Sequence, residues 1–171
     1  MAVVQRTPWN SVFNASCPIT FPGVSTAGQL IVVDIILRSA AGGSGGTCTV
    51  SDTGGNTYTL KFGDNANDNK AAIAYAYNIA APGAPITITI APSAVNQQIS
   101  ASAQEVDIVS GATDPLVGFA KNTGNSTTPS VTSGSTGADP VFLSACFASF
   151  RLNFNVTSIV VDVAVPAWFE E

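Results

Sequence analysis

The stretch Ile86-Thr87-Ile88-Thr89-Ile90 alternates apolar and hydroxyl side chains without a break. Successive side chains of a β-strand point to opposite faces, so a period of two buries one face and leaves the other in water. The stretch therefore predicts a half-buried strand with its isoleucines inward. The same alternation recurs in three other stretches, at residues 58–62, 72–79 and 158–165.

The rest of the chain fits the same fold class. Residues 29–38 and 141–150 are apolar on both faces, which is typical of central or doubly covered strands. Turn-forming Gly, Pro, Asn and Asp recur between the runs at the spacing of a β-sandwich or barrel, and good helix formers are scarce. We therefore predict an all-β fold, a single antiparallel β-sandwich of jelly-roll or Ig-like type, with roughly 8–10 strands and no substantial helix.

One predicted strand, at residues 99–109, changes its apolar face along its length. Ala101 and Ala103 share one parity, whereas Val106 and Ile108 have the other. A β-bulge inserts one extra residue and reverses the alternation beyond it. The pattern thus predicts a bulge near residues 104–105.

The chain has the length of one domain, since 171 residues fall within the usual domain range. We assign residues 1–171 to one sandwich, with 1–10 and 166–171 as tails and 111–140 as a long loop. The N-terminus shows no charged region followed by a long apolar run, and no apolar stretch approaches the ~18 residues of a membrane span. We therefore expect that the chain is synthesised in a cytoplasm and that it has no membrane partner.

The charge pattern argues against nucleic acid as a partner. Net charge is −5, and the six Lys and Arg residues are scattered instead of forming a basic stripe. The same shortage of cations disfavours anionic membrane surfaces.

The absence of histidine removes the usual catalytic constellations. With no His in the chain, Ser-His-Asp and Cys-His catalysis and histidine-ligated zinc are excluded. Residues 42–46 match the GxSxG nucleophile pattern, but no helix pattern follows, so a flexible loop is predicted. Glu105 and Asp107, two residues apart, offer a glycosidase-like carboxylate pair or a solvent-facing strand. Alternatively, Glu105 is semi-buried at the bulge and accepts backbone N–H bonds. We predict no enzyme and no catalytic residues.

Metal and cofactor sites are not predicted either. Residues 64–68 fail the EF-hand template, because Ala66, Asn69 and Tyr75 occupy its third, sixth and twelfth positions. A looser calcium site with Asp52 nearby, or a solvated hairpin tip, remain the alternatives. The three cysteines are interpreted as buried small hydrophobes, or as one disulfide plus a free thiol; they are Cys17, Cys48 and Cys146.

Four aromatic side chains are the candidate interface residues, because they lie in the tails and the long loop. They are Trp9, Phe119, Trp168 and Phe169. Tryptophans that flank a domain serve as core plugs or as subunit contacts, since Trp is enriched at interface hot spots.

The run of residues 50–58, Val-Ser-Asp-Thr-Gly-Gly-Asn-Thr-Tyr, resembles a family of Ig-like or jelly-roll β-sandwich modules. These modules occur in phage virion proteins and bacterial secreted surface proteins. Further segments fit the family in order, at residues 25–33, 74–79, 86–90 and Glu105 with Ser110 and Gly111. The spacer at 106–109 departs from the pattern. The similarity covers about residues 25–150 and concerns strands and turns, so it brings no catalytic residues.

The resemblance implies a non-enzymatic structural protein of a bacteriophage virion, most simply a capsid decoration or cement protein or a related head or tail surface protein. The implied partners are the major capsid protein or other virion proteins, with a homo-oligomer such as a trimer, located in the virion after synthesis in the host cytoplasm. The alternative is a carbohydrate- or cell-surface-binding β-sandwich module, which needs exposed coplanar aromatic side chains.

Overall fold

A computed structural model of the chain describes residues 2–39, 46–63, 69–93, 97–108 and 119–121. These residues contain strands and turns and no helix. The strands are β1 (Val3–Arg6), β2 (Asn10–Phe13), β3 (Cys17–Thr20), β4 (Leu30–Ser39), β5 (Cys48–Asp52), β6 (Thr59–Phe62), β7 (Asn69–Ala76), β8 (Thr87–Pro92) and β9 (Gln97–Val106). The predicted all-β class is confirmed.

The strands form two antiparallel sheets. The larger has the order β1-β9-β4-β7-β6, with β2 also paired to β9, and the smaller has the order β3-β8-β5. Strands β4 and β9 form the centre of the larger sheet and remain in one register from Leu30 opposite Val106 to Ser39 opposite Gln97. Two antiparallel sheets around a shared core make a β-sandwich, as predicted.

The main core lies between the two sheets. The alternate residues of β4 from Ile31 to Leu37 face the smaller sheet and are completely buried. They pack with Ile86, Ile88 and Ile90, which are also completely buried, so the inward face predicted for that strand is confirmed. Each such side chain contributes about 1.5–3 kcal/mol of hydrophobic stabilisation.

The larger sheet is also apolar on part of its outer face, the face turned away from the smaller sheet. A second cluster of buried residues lies there, formed by Leu30, Val32, Tyr75 and Val106. This cluster explains why residues 29–38 are apolar at both parities.

The position predicted for the bulge, near residues 104–105 of β9, is wrong. Strand β9 pairs with β4 in unbroken register, so Glu105 and Val106 alternate normally between inner and outer faces. The change of apolar parity reflects the second cluster on the outer face, to which Val106 belongs. The irregularity lies in the opposing strand, where the register of β1 shifts between Val3 and Gln5.

Residues 1–10, assigned to a tail from sequence, contain all of β1 and the first residue of β2. Both strands pair with β9, and a second irregularity separates them. Thr7 bonds to Ala103 whereas Asn10 pairs with Ala101, so three steps of the N-terminal segment span two steps of β9. Pro8 and Trp9 therefore share the place opposite Ser102, as the two residues of a β-bulge do.

Candidate functional site

The carboxylate pair proposed from sequence does not form. Glu105 lies on the inner face and has no exposed surface. One of its oxygens accepts the backbone N–H of Thr26 at 2.9 Å, and the other accepts the side-chain amide of Gln5. Asp107 lies beyond the end of β9 and is exposed. The two acids share no solvent-facing site, which contradicts a glycosidase geometry. The alternative is confirmed in that Glu105 accepts a backbone N–H, but the residue is completely buried and its own strand has no bulge against β4.

Glu105 belongs to a hydrogen-bonded network that fixes one end of the sandwich. Gln5 links Glu105 to the loop after β3, because its side-chain oxygen accepts the backbone N–H of Gly23 at 2.9 Å. Its amide nitrogen also lies 3.5 Å from the Ser25 hydroxyl. The network joins β1 and β9 to the loop between β3 and β4, so its role is to anchor the chain.

Asp52 is engaged in a similar way by neutral donors. One carboxylate oxygen accepts the backbone N–H groups of Gly54 at 2.9 Å and Asn56 at 3.0 Å. The other accepts the amide of Asn56 at 2.9 Å and the Tyr58 hydroxyl at 2.8 Å. The Asn56 side-chain oxygen in turn accepts the N–H of Ala80 at 2.8 Å. Asp52 thus organises the β5–β6 turn and its contact with the loop after β7.

Burial, followed by the hydrogen bond and charge of Asp52, raises the pKa of Tyr58 well above its usual value. Two positions of the same turn require glycine for structural reasons. A Cβ on Gly54 would lie 2.8 Å from the Asn56 amide, and Gly55 has a φ of +72°. Asp52, Gly54, Gly55, Asn56 and Tyr58 of this turn therefore all have roles in the fold.

The described residues contain no group of three or more His, Cys, Asp or Glu arranged to hold a metal ion. Residues 64–68 and most of 42–46 lie outside the described residues.

Cys17 and Cys48 are buried thiols in the main core, and Cys146 lies outside the described residues. Burial raises the pKa of Cys48 to about 11, against a smaller opposing effect of the Lys70 charge, and burial also raises the pKa of Cys17. Across the described part of the chain, no helix is long and apolar enough to cross a membrane.

Of the four candidate interface residues, Trp9 is 54% exposed and Phe119 is 40% exposed. Trp168 and Phe169 lie outside the described residues. Trp9 is therefore not a core plug. Sequence reasoning missed two further exposed aromatic residues, Phe13 and Tyr77. The outward position of Phe13 depends on the pairing of β2 with the distant β9, and Tyr77 shares the parity that the alternation at 72–79 placed inward. The alternation of Ser11, Val12 and Phe13 was the available signal.

Three exposed apolar side chains form what we call the apolar end: Val4, Val24 and Tyr77. Val4 precedes Gln5, and Val24 lies between the two loop residues that contact Gln5. Tyr77 follows β7, whose last residue pairs with the start of β4. All three lie at the end of the sandwich that the Glu105 network fixes.

A second exposed surface, the aromatic strip, lies along β2 and the neighbouring part of β9. It consists of Trp9, Ser11 and Phe13 with Ser100 and Gln98. Ser11 and Phe13 pair directly with Ser100 and Gln98. Val12 faces the core, so its neighbours on both sides face outward. Trp9, in the bulge opposite Ser102, lies on the same outer face.

The polar side chains of the strip are joined to one another. The hydroxyl oxygens of Ser11 and Ser100 lie 2.8 Å apart, and the Gln98 amide donates to the Ser11 hydroxyl at 3.0 Å. A row of hydroxyl and amide groups therefore lies beside two aromatic rings that are each more than half exposed.

The backbone that holds Trp9 is fixed on its N-terminal side by Thr7. The N–H of Thr7 donates to the Ala103 carbonyl at 2.9 Å, and the N–H of Ala103 donates to the Thr7 hydroxyl at 2.8 Å. The side chain of Thr7 thus replaces a backbone carbonyl in the ladder. On the other side, the Asn10 side-chain oxygen accepts the N–H of Ser11 at 2.9 Å.

No protein-family model, no curated protein and no solved structure matches this chain.

Proposed function

We propose that this chain is a non-enzymatic structural protein of a bacteriophage virion, a capsid decoration or cement protein or a related head or tail surface protein. It attaches to the major capsid protein or another virion protein through the apolar end. The observation that carries the proposal is that three exposed apolar side chains, Val4, Val24 and Tyr77, lie at the same end of the sandwich.

The apolar end suits a protein contact because it is both apolar and firmly held. The bonds of Gln5 to Gly23 and to Glu105 fix the segments that carry Val4 and Val24. A rigid surface loses little conformational entropy on binding. The low charge of the chain, with 10% charged residues, fits a contact whose centre is depleted of charged side chains.

The virion setting rests on the resemblance of residues 25–150 to phage and bacterial surface modules. The non-enzymatic part rests on chemistry. The chain has no His, Glu105 is enclosed by N–H donors, and Asp52 is bonded to four donor groups. These acids serve the fold, which leaves binding as the activity best supported.

The test is attachment of the purified protein to empty capsids, measured by co-sedimentation, with the oligomeric state measured by analytical ultracentrifugation. The variant is Val4→Ser with Val24→Ser. Each exposed valine that becomes buried contributes about 1 kcal/mol, so attachment or oligomerisation should weaken by about 30-fold. Trp9→Ala is the matched control, since Trp9 is equally exposed but lies outside the apolar end.

Two results would contradict the proposal. If the unmodified protein neither attaches to capsids nor self-associates, the virion role is wrong. If it attaches and the double valine variant attaches equally well, the contact does not use the apolar end.

A further inference from the structure

We propose that the aromatic strip is a glycan-binding site, distinct from the apolar end. Trp9 and Phe13 provide the stacking rings, and Ser11, Ser100 and Gln98 provide hydroxyl and amide groups between and beside them. The proposal goes beyond the virion role and uses different residues, so the glycan site and the virion contact can be tested independently.

The dimensions of the strip fit a chain of sugar rings. Trp9 and Phe13 are four residues apart along the strand direction, which corresponds to roughly 13 Å at ~3.3 Å per residue. Their side chains are 54% and 55% exposed. The apolar C–H face of a pyranose ring can lie against an aromatic ring, and two such platforms in line hold an extended oligosaccharide along the strand.

The polar row supplies what a sugar needs at its edges. Serine hydroxyls both donate and accept hydrogen bonds, and the glutamine amide does the same with its two ends. Ser11, Ser100 and Gln98 already form a connected chain of such groups. Arg38 pairs with Gln98 from β4 and is exposed, which adds guanidinium donors at one end of the strip.

A peptide that adds to the sheet edge fits this surface less well. Pro8 has no N–H, the N–H of Ser11 is bonded to the Asn10 side chain, and the strand is interrupted by a bulge at Pro8–Trp9. These features blunt an edge strand against pairing.

A flat protein surface fits less well too. A flat apolar partner surface would leave unused the hydrogen-bonding capacity that Ser11, Ser100 and Gln98 retain beyond their bonds to one another. The hydroxyl groups of a glycan would use that capacity. The alternation of aromatic and hydroxyl side chains therefore favours a glycan over a protein.

The experiment measures binding of the full chain to cellohexaose, chitohexaose, dextran oligosaccharides and lipopolysaccharide O-chains, by isothermal titration calorimetry and by quenching of Trp fluorescence. We expect one of these probes to bind. Trp9→Ala and Phe13→Ala should each weaken that binding by about tenfold, and Trp9→Phe should retain most of it because the ring is kept.

The control is Val4→Ser with Val24→Ser, which changes the apolar end and should leave glycan binding unchanged. Far-UV circular dichroism checks that every variant folds, and Phe13→Ala with Trp9→Phe keep the test valid if Trp9→Ala does not fold. Absence of binding to all four probes at millimolar concentration would overturn the proposal, as would binding that the Trp9 and Phe13 variants do not alter. Loss of capsid attachment in these variants without any glycan binding would show that the strip is a protein contact.

Discussion

Replacing Glu105 with glutamine should destabilise the fold, although the two side chains have almost the same shape. Glu105 accepts two N–H groups, one from the backbone of Thr26 and one from the side chain of Gln5. Glutamine has one oxygen and one NH2 group, so one of these donors then faces another donor. Rotating the Gln5 amide does not help, because its oxygen is needed by the N–H of Gly23.

The size of the effect follows from these contacts. A buried N–H group left without an acceptor costs about 1–3 kcal/mol. Removing the charge of a fully buried carboxylate recovers part of its desolvation cost. We therefore expect Glu105→Gln to lower the free energy of unfolding by about 1–2 kcal/mol, or the Tm by about 2–8 °C for a chain of this size.

The exchange of the two residues is the sharper test. In the double variant Gln5→Glu with Glu105→Gln, the new glutamate accepts the N–H of Gly23, while the new glutamine donates to it and accepts the N–H of Thr26. Every donor then has an acceptor, so the double variant should recover most of the lost stability. Gln5→Glu alone places two carboxylates together and should be destabilising at pH 7, less so as the pH falls and one of them is protonated.

Urea unfolding of the four chains gives the coupling between the two positions from a double-mutant cycle. Asp107→Asn is the matched control, because Asp107 is exposed and two residues away; its effect should stay within about 0.5 kcal/mol. The reasoning fails if Glu105→Gln is as harmless as Asp107→Asn, or if the exchanged pair is no more stable than the single variants.

Three further predictions concern buried groups. The raised pKa of Tyr58 means that stability should fall as the pH rises above about 10, where the unfolded chain ionises more readily; urea unfolding at pH 8 and 10.5 should show a smaller fall for Tyr58→Phe. Since burial raises the pKa values of Cys17 and Cys48, iodoacetamide at pH 8 should modify both only after unfolding, and rapid labelling of the native protein in peptide mass spectra would refute this. Thr7→Val should cost about 1–3 kcal/mol in thermal or urea unfolding by leaving the N–H of Ala103 unpaired, whereas a loss of the same size in Thr7→Ser would rule out the hydroxyl as the cause.

Much of the fold was predictable because its signal is local. The alternation around Ile88 and the apolar run that became β4 predicted the sheet class, the inward face of β8 and the central strand β4. The inward face predicted for residues 72–79 is wrong, because Ala72, Ala74 and Ala76 face the main core whereas Tyr75 lies in the outer cluster. The second predicted central strand, at 141–150, lies outside the described residues. Strand β7 ends earlier than the alternation predicts, and the cause is local. Ile79 continues the alternation, yet the strand stops at Ala76 and Asn78 adopts a φ of 50°. Ile79 is buried from a loop, where its N–H bonds to the Gln29 carbonyl instead of a neighbouring strand.

The candidate surfaces were less predictable because they depend on pairing between distant segments. Nothing within residues 1–13 shows that they pair with β9, some ninety residues later. Without that pairing, Trp9 has two interpretations, a core plug or a subunit contact, and the sequence does not show which residues lie beside Phe13. Glu105 was ambiguous for the same reason, since its donors come from Gln5 and Thr26, far away in sequence.

Both candidate surfaces depend on irregularities of the N-terminal strand. Val4 lies where the register of β1 shifts, and Trp9 lies in the bulge between β1 and β2. A regular strand would place alternate side chains in the core, and each bulge instead turns an extra apolar side chain toward solvent. Each irregularity is stabilised by side chains, the first beside the Gln5–Glu105 bond and the second by the Thr7 hydroxyl. Exposed apolar side chains are common on protein surfaces, so what distinguishes Val4 and Trp9 is their position at two irregularities of a paired strand. Both proposed contacts, to a virion protein and to a glycan, therefore depend on how the N-terminal strand is held against β9.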